Sequence, residues 1–125
     1  MLARSSSLVR SVIGCCIEVH RSLGPGLLES VYARCVGHEL TLHGIAFRSE
    51  VRIPVDYKGL DVSHAYRADV VVDGSLLLEL KSVDDVLPIH KAQVLTYLKL
   101  LKLKQGLLIN FNVTRLVDGI HNLLL

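Results

Sequence analysis

"ADVVVDGSLLLELKSV", Ala68 to Val83, is the stretch whose reading decides the fold. Two apolar runs flank Asp73-Gly74-Ser75, the composition of a β-hairpin. Each run carries a carboxylate, Asp69 in the first and Glu79 in the second, and Lys81 follows two residues later. Side chains at i and i+2 of a strand share a face. Leu76, Leu78 and Leu80 therefore face one way, and Leu77, Glu79 and Lys81 the other. The charges are expected to line the face opposite the leucine core, not to be buried in it. Burying charge is costly unless it is paired or binds something.

Whether Asp69 joins Glu79 depends on register. A two-residue turn at Asp73-Gly74 pairs Val72 with Ser75 and Ala68 with Glu79, sending Asp69 to the opposite face. A three-residue connection pairs Val72 with Leu76 and sets Asp69 directly opposite Glu79. Like charges so placed repel, so this register calls for a cation. Lys81 is one candidate and a hard divalent ion, which prefers carboxylate oxygens, is the other. On these three residues alone, a self-satisfied network and a functional site both stand open.

Working outward, "MLARSSSLVRSVIGCCIEVH" has helical spacing, with a start near Ser5, N-caps at Ser5 to Ser7 and an end near Leu23. "GPG", Gly24 to Gly26, punctuates the chain. Pro25 suits the first turn of a second helix that carries Leu27 to Leu40 and stops at Gly44. "FRSEVRIPVDYKG" reads as a strand, with Pro54 marking an edge or a bulge. "LPIHKAQVLTYLKLLKLKQ" reads as a helix and "GLLINFNV" as a strand that pairs in parallel through a crossover. "DGIHNLLL" is an apolar tail without assigned form. The order is helix, helix, three strands, helix, strand: an α/β (α+β-type) mixed sheet packed on helices.

The chain of 125 residues is expected to be one domain, residues 1–125, and its net charge of +2 neither demands nor excludes a polyanionic partner. Lys91, Lys99, Lys102 and Lys104 read as a solvated helix face. Cys15, Cys16 and Cys35 read as reduced thiols of a cytoplasmic protein. Cys35 with His38 supplies two ligands, too few for a zinc site. No segment reaches the roughly 18 uninterrupted apolar residues of a membrane span.

Two helical pairs add polar groups. Gln93 and Tyr97 are four apart, and Glu29 and Tyr32 three apart, so each pair shares a helix face. Glu29 is favoured at a helix N-terminus by the dipole, and Tyr32 suits core packing with a satisfied hydroxyl. The "GPG" reads as a tight turn in preference to a phosphate cradle.

These residues resemble a known family. "GPGLLESVY" resembles the signature of the GxxExxY proteins, with Gly26, Glu29 and Tyr32 at the named positions. "ADVVVDGSLLLELKSV" resembles the D…ExK core of the PD-(D/E)XK nuclease superfamily, with Ala68 where the motif has proline. Gln93-x-x-x-Tyr97 resembles the QxxxY motif of its RecB-like branch, and "INFN", Ile109 to Asn112, its closing strand. The resemblance runs from about His20 to Asn112. It implies a restriction-endonuclease-like core and a metal-dependent nuclease, acting on DNA more than RNA. Asp69 and Glu79 would hold Mg²⁺, or Mn²⁺, with the Leu80 carbonyl and Glu29 as further ligands. Lys81 would orient the attacking water and counter phosphate charge. Gln93 and Tyr97 would position the phosphate, the water or Lys81, with Tyr32 in support.

A second hypothesis is a non-catalytic nucleic-acid-binding or assembly protein retaining the fold. A third is a structural protein whose polar cluster is an internal salt-bridge network. No stacking platform, recognition module or strong basic patch is evident in the sequence. A homodimer or a protein partner would then supply the grip, with "NLLL" as a candidate contact.

Overall fold

The computed structural model describes residues 2–125. Helix α1 spans Leu2–Leu23 and α2 spans Glu29–Leu42. Strands β1 (Phe47–Arg52), β4 (Arg67–Val72) and β5 (Leu76–Lys81) form the expected antiparallel meander. Helix α3 (Pro88–Leu101) then leads to β6 (Gln105–Asn110), which pairs with β5 in parallel. A 3₁₀ turn at Leu116–Gly119 leads into β7 (Ile120–Leu124), antiparallel to β6. The sheet order is β1-β4-β5-β6-β7, and the mixed α/β architecture is the expected one.

Several boundaries differ from the sequence reading. Helix α1 begins at Leu2, so Ser5 to Ser7 lie inside it instead of capping it; serine is tolerated within a helix at modest cost. Helix α2 begins at Glu29, not at Pro25, because Gly24 and Gly26 adopt φ of 78° and 94° and turn the chain first. The strand expected through Pro54 breaks there. Arg52 ends β1, and a separate small hairpin follows, β2 (Asp56–Tyr57) and β3 (Leu60–Asp61). Lys102 caps α3 with φ 60°, which leaves Lys102 to Lys104 in a turn. The unassigned tail supplies β7, an edge strand.

The sheet carries a core on each face. Leu76, Leu78, Leu80, Val70, Val72, Leu107 and Ile109 pack against α1 and α2. Leu77, Val71, Ala68 and Leu108 pack under Val94, Tyr97 and Leu98 of α3. The leucines of β5 alternate as expected. The face opposite them is itself covered, however, so Glu79 is 6% exposed and not solvated. Cys15 and Cys16 are buried thiols, and burial pushes Cys16 up to about 12.

Strict alternation fails at one place. In β4, Val70 and Val72 face α1 and α2, yet Ala68 faces α3. In β1, Phe47 faces α2, yet Val51 and Ile53 face α3. Regular pleating would keep residues two or four apart on one face. The break falls where Glu50 stands opposite Asp69, between the pairs Ser49–Val70 and Val51–Ala68. Glu50 has φ 51°, a left-handed conformation that costs a non-glycine residue about 1 kcal/mol or more. The two strands rotate together at this point, and the site is built there.

Gly119 tests how tightly β6 is held. A Cβ there would lie 2.2 Å from the Asn110 carbonyl oxygen and 3.2 Å from Val113 Cγ2. Gly119→Ala should destabilise by about 1–3 kcal/mol in urea unfolding, the usual cost of overpacking. Gly14→Ala, in open space within α1, should instead stabilise by up to about 1 kcal/mol.

Candidate active site

The hairpin turn sets the register. Asp73 and Gly74 both have positive φ, 51° and 62°, and Ser75 N–H donates to the Val72 carbonyl at 3.0 Å. This is a primed turn, whose twist matches the flanking strands. Ser75 is then left over, and pairing starts at Val72–Leu76 and continues through Val71–Leu77 and Val70–Leu78. The three-residue connection is therefore the one adopted, and it places Asp69 opposite Glu79.

Backbone pairing stops at Val70–Leu78, and the two carboxylates take over. Leu80 N–H donates to Asp69 Oδ2 at 2.8 Å, and Asp69 N–H donates to Glu79 Oε2 at 3.3 Å. Each strand thus gives a backbone donor to the other's acid, and the strands part into a fork. The Leu80 carbonyl lies on the same side as its N–H, toward the fork. Burial pushes the Glu79 carboxyl up to about 9, and contact with the Asp69 carboxylate adds to the rise. Lys81 opposes it weakly. Tyr97 of α3 closes the α3 side. Its hydroxyl is raised by desolvation, then by Glu79, Tyr66 and Asp69.

Lys81 is half-buried at the end of β5, and among the described residues no carboxylate lies within 4 Å of it. Among the described residues the close base–carboxylate contacts are Arg21–Glu18 within α1 and His43–Glu39 at the C-terminal end of α2. A self-satisfied Asp69–Glu79–Lys81 salt-bridge network is not what the chain builds.

Glu29, the first residue of α2, reaches across to β5, where its Oε2 accepts from Ser82 N–H at 3.0 Å. It also shares a cleft of about 510 Å³ with Asp69, Ser49, Glu50 and Arg34. Glu29 therefore borders the fork without converging on the Asp69–Glu79 pair. No three His, Cys, Asp or Glu side chains gather to hold a metal among the described residues. Gln93 is half-buried one turn before Tyr97, and no hydrogen bond joins it to the other site residues among those described.

Tyr32 is fully buried and acts on structure. Leu27 N–H donates to its hydroxyl at 3.1 Å, and that hydroxyl donates to the Gly24 carbonyl at 2.5 Å. Its ring stacks on Phe111 at 4.4 Å. The GPG segment is a turn fixed by Tyr32. Asn110 braces the other side. Val83 N–H donates to its Oδ1 at 3.1 Å, and its Nδ2 donates to the Val83 carbonyl at 2.9 Å. The loop that presents Ser82 to Glu29 is thereby held from below.

Glu50, Asn110 and Tyr66 were not singled out by the sequence reading. A buried polar residue inside "LLINF" was the available signal for Asn110. For Glu50, one acid among "RSEVR", no signal marked the reversed φ.

Two outcomes follow from this geometry. Glu79 holds its proton more tightly folded than unfolded. Its contribution to stability is complete below the ordinary value of 4.5 and is lost as pH rises through about 9. In chelator-treated protein, Tm should fall between about pH 5 and 9, and the Glu79→Gln variant should be flatter across that window. Tyr32→Phe keeps the stack on Phe111 and loses both hydroxyl hydrogen bonds, which should cost about 1–3 kcal/mol by chemical denaturation.

Comparison with known proteins agrees with this layout. No curated protein matches the chain. A solved structure titled "Crystal structure of SSO0001" is similar, with 25% identity and a TM-score of 0.50 over 75% of this chain. The match covers 47% of that longer chain, about half its length. The family model described as "PD-(D/E)XK nuclease superfamily" matches residues 6–123, which include α2, the forked hairpin, α3 and β6. The chain belongs to the PD-(D/E)XK nuclease superfamily.

Proposed function

We propose that the protein hydrolyses phosphodiester bonds of nucleic acid, DNA in preference to RNA, with a divalent metal at the fork. The observation that carries this reading is the meeting of Asp69 and Glu79 across β4 and β5 beside a Lys81 with no carboxylate partner within 4 Å among the described residues. The Glu29–Ser82 contact and the Tyr32-pinned turn give physical roles to Gly26, Glu29 and Tyr32. They support placing the chain among the GxxExxY proteins, with Gln93 and Tyr97 as its QxxxY pair.

The donor set fits Mg²⁺ or Mn²⁺. Two facing carboxylates and a carbonyl on the fork side are oxygen ligands, and magnesium takes one or two carboxylates and keeps its waters. Burial and the neighbouring Asp69 carboxylate push the facing Glu79 carboxyl up to about 9, and a cation bound there would take the place of its proton. Asp69, Glu79 and the Leu80 carbonyl are the proposed ligands, with Glu29 acting through water. A metal held by these residues would supply an acidified water and stabilise charge on phosphoryl oxygens.

The chain's own groups do the remainder. The Lys81 ammonium orients the attacking water and offsets phosphate charge. The Tyr97 hydroxyl, whose pKa desolvation and the adjacent Glu79 raise, donates to the phosphate or the water. Gln93, one turn earlier, holds the same substrate oxygens. Burial of Glu79 under α3 keeps bulk water from the ligand side of the fork.

Purified protein incubated with labelled single- and double-stranded substrates should cleave with Mg²⁺ or Mn²⁺ and stop on chelation. Asp69→Ala and Lys81→Ala should each lower the rate by about 10²-fold or more, the usual effect of removing a charge-stabilising group. Cleavage that survives both substitutions would refute the assignment. Undetectable cleavage with retained nucleic-acid binding would select the non-catalytic binding protein.

A further inference from the structure

Tyr66 is an aromatic residue beside the site, in "HAYR", a polar stretch in which the sequence reading found no stacking platform. It is 51% exposed, and its ring leans on that of Tyr97, with centroids 6.3 Å apart and planes tilted by 55°. Tyr97 is almost buried, so the contact holds Tyr66 in place while half of it remains in solvent. The backbone is fixed as well, because the Tyr66 carbonyl accepts from Ile53 N–H at 3.2 Å. Tyr66 precedes Asp69 by three residues, about 10 Å along the strand. A held, exposed ring at the mouth of a polar site is costly in water and favourable under a flat ligand.

The adjacent charges point to the same ligand. Arg52 and Arg67 are paired directly across β1 and β4, and both are exposed. Like charges at that spacing repel. No carboxylate lies within 4 Å of either among the described residues. Asp61, the acid whose field Arg52 shares, has its Oδ1 engaged by Ser63 N–H at 2.8 Å. The Arg67 guanidinium is steered by neutral carbonyls, of Tyr66 at 3.2 Å and His64 at 3.5 Å, so its charge is not cancelled. An anion placed at the two guanidinium groups would relieve the repulsion.

We propose that Tyr66 stacks an unpaired base and that the Arg52–Arg67 pair takes a neighbouring phosphate, so that the substrate enters as single-stranded nucleic acid. This rests on the nuclease reading and deepens it. A base in a duplex has both faces covered by its neighbours, so a stacking tyrosine selects unpaired strands. Tyr66 is a positioning residue and takes no part in the chemistry.

The test is binding of fluorescein-labelled oligodeoxythymidylate, and of a blunt duplex of equal length, read by anisotropy with Ca²⁺ as the cation. Tyr66→Ala should weaken single-strand binding by about 5- to 100-fold and leave duplex binding unchanged. Tyr66→Leu, which keeps packing on Tyr97 without a π-face, should behave like Tyr66→Ala, and Tyr66→Phe should restore wild-type affinity. Arg67→Gln should lower the slope of log affinity against log salt by about 0.7. Tyr57, 64% exposed on the β2–β3 hairpin and already met by Lys58 at 5.2 Å from its ring centroid, is the control. Unchanged binding in Tyr66→Ala, an equal loss on duplex, or an equal loss in Tyr57→Ala would overturn the proposal. Binding that depends on Tyr66 without any cleavage would sink the nuclease reading and leave this one standing. Single-strand cleavage with an unaltered KM in Tyr66→Ala would do the reverse.

Discussion

The register of one hairpin constrains the rest of the molecule. Asp73 and Gly74 turn the chain with two positive φ angles, and Ser75 is left over, so Val72 meets Leu76. A side-chain period of two means that a slip of one residue would exchange every inward and outward group of β5. Leu76, Leu78 and Leu80 would leave the α1–α2 core, and Glu79 would enter it. Those three leucines are each worth about 2–5 kcal/mol against truncation to alanine in a packed core. The hydrophobic contacts on one face therefore enforce the juxtaposition of two acids on the other. The desolvation of two facing acids, with Glu79 keeping its proton, is tolerated because the leucines leave the strand nowhere else to go.

The fork is then held open from three sides. Glu50, opposite Asp69, reverses its φ, and both strands change face there, which turns the Asp69 carboxylate to the Leu80 N–H. Glu29 fixes Ser82 from α2, and Asn110 fixes Val83 from β6. Tyr32 and Phe111 stack beneath, joining the turn before α2 to the end of β6. Gly26, Glu29 and Tyr32 are thus one mechanical unit. Glycine permits the turn, tyrosine locks it, and glutamate, set at the first position of the helix by that lock, reaches the strand.

What the sequence made legible followed from local rules. Alternating leucines, the Gly-containing turn and helical spacing located β5, the hairpin and α1 to α3 to within a few residues. Asp69 and Glu79 were legible because they interrupt apolar strands, where an unpaired charge is conspicuous. Glu50, Tyr66 and the Arg52–Arg67 pair were not. Each lies in the edge strand β1, in a loop or at the first residue of β4, where polar residues are unremarkable, and each acquires meaning only from what stands beside it in the fold. The burial of Glu79 was missed for a related reason. Periodicity says which face a residue takes, and only the packing of α3 from another part of the chain says that this face is covered.

Charge balance separates the functional readings further. A cluster retained only for stability would place Lys81 against the acids, since breaking a buried ion pair leaves an uncompensated charge that costs about 3–5 kcal/mol. The chain does otherwise. Glu79 is buried with its proton, Lys81 stands without a carboxylate partner within 4 Å among the described residues, and Arg52 and Arg67 face each other. Desolvation burdens Glu79 and like charge burdens the arginine pair, and ligands of opposite sign would complement all three: a cation for the acids, phosphates for the ammonium and the guanidinium pair. Three such features at one end of a sheet, with well-packed cores on both faces elsewhere, support the proposed site for a metal and a polyanion.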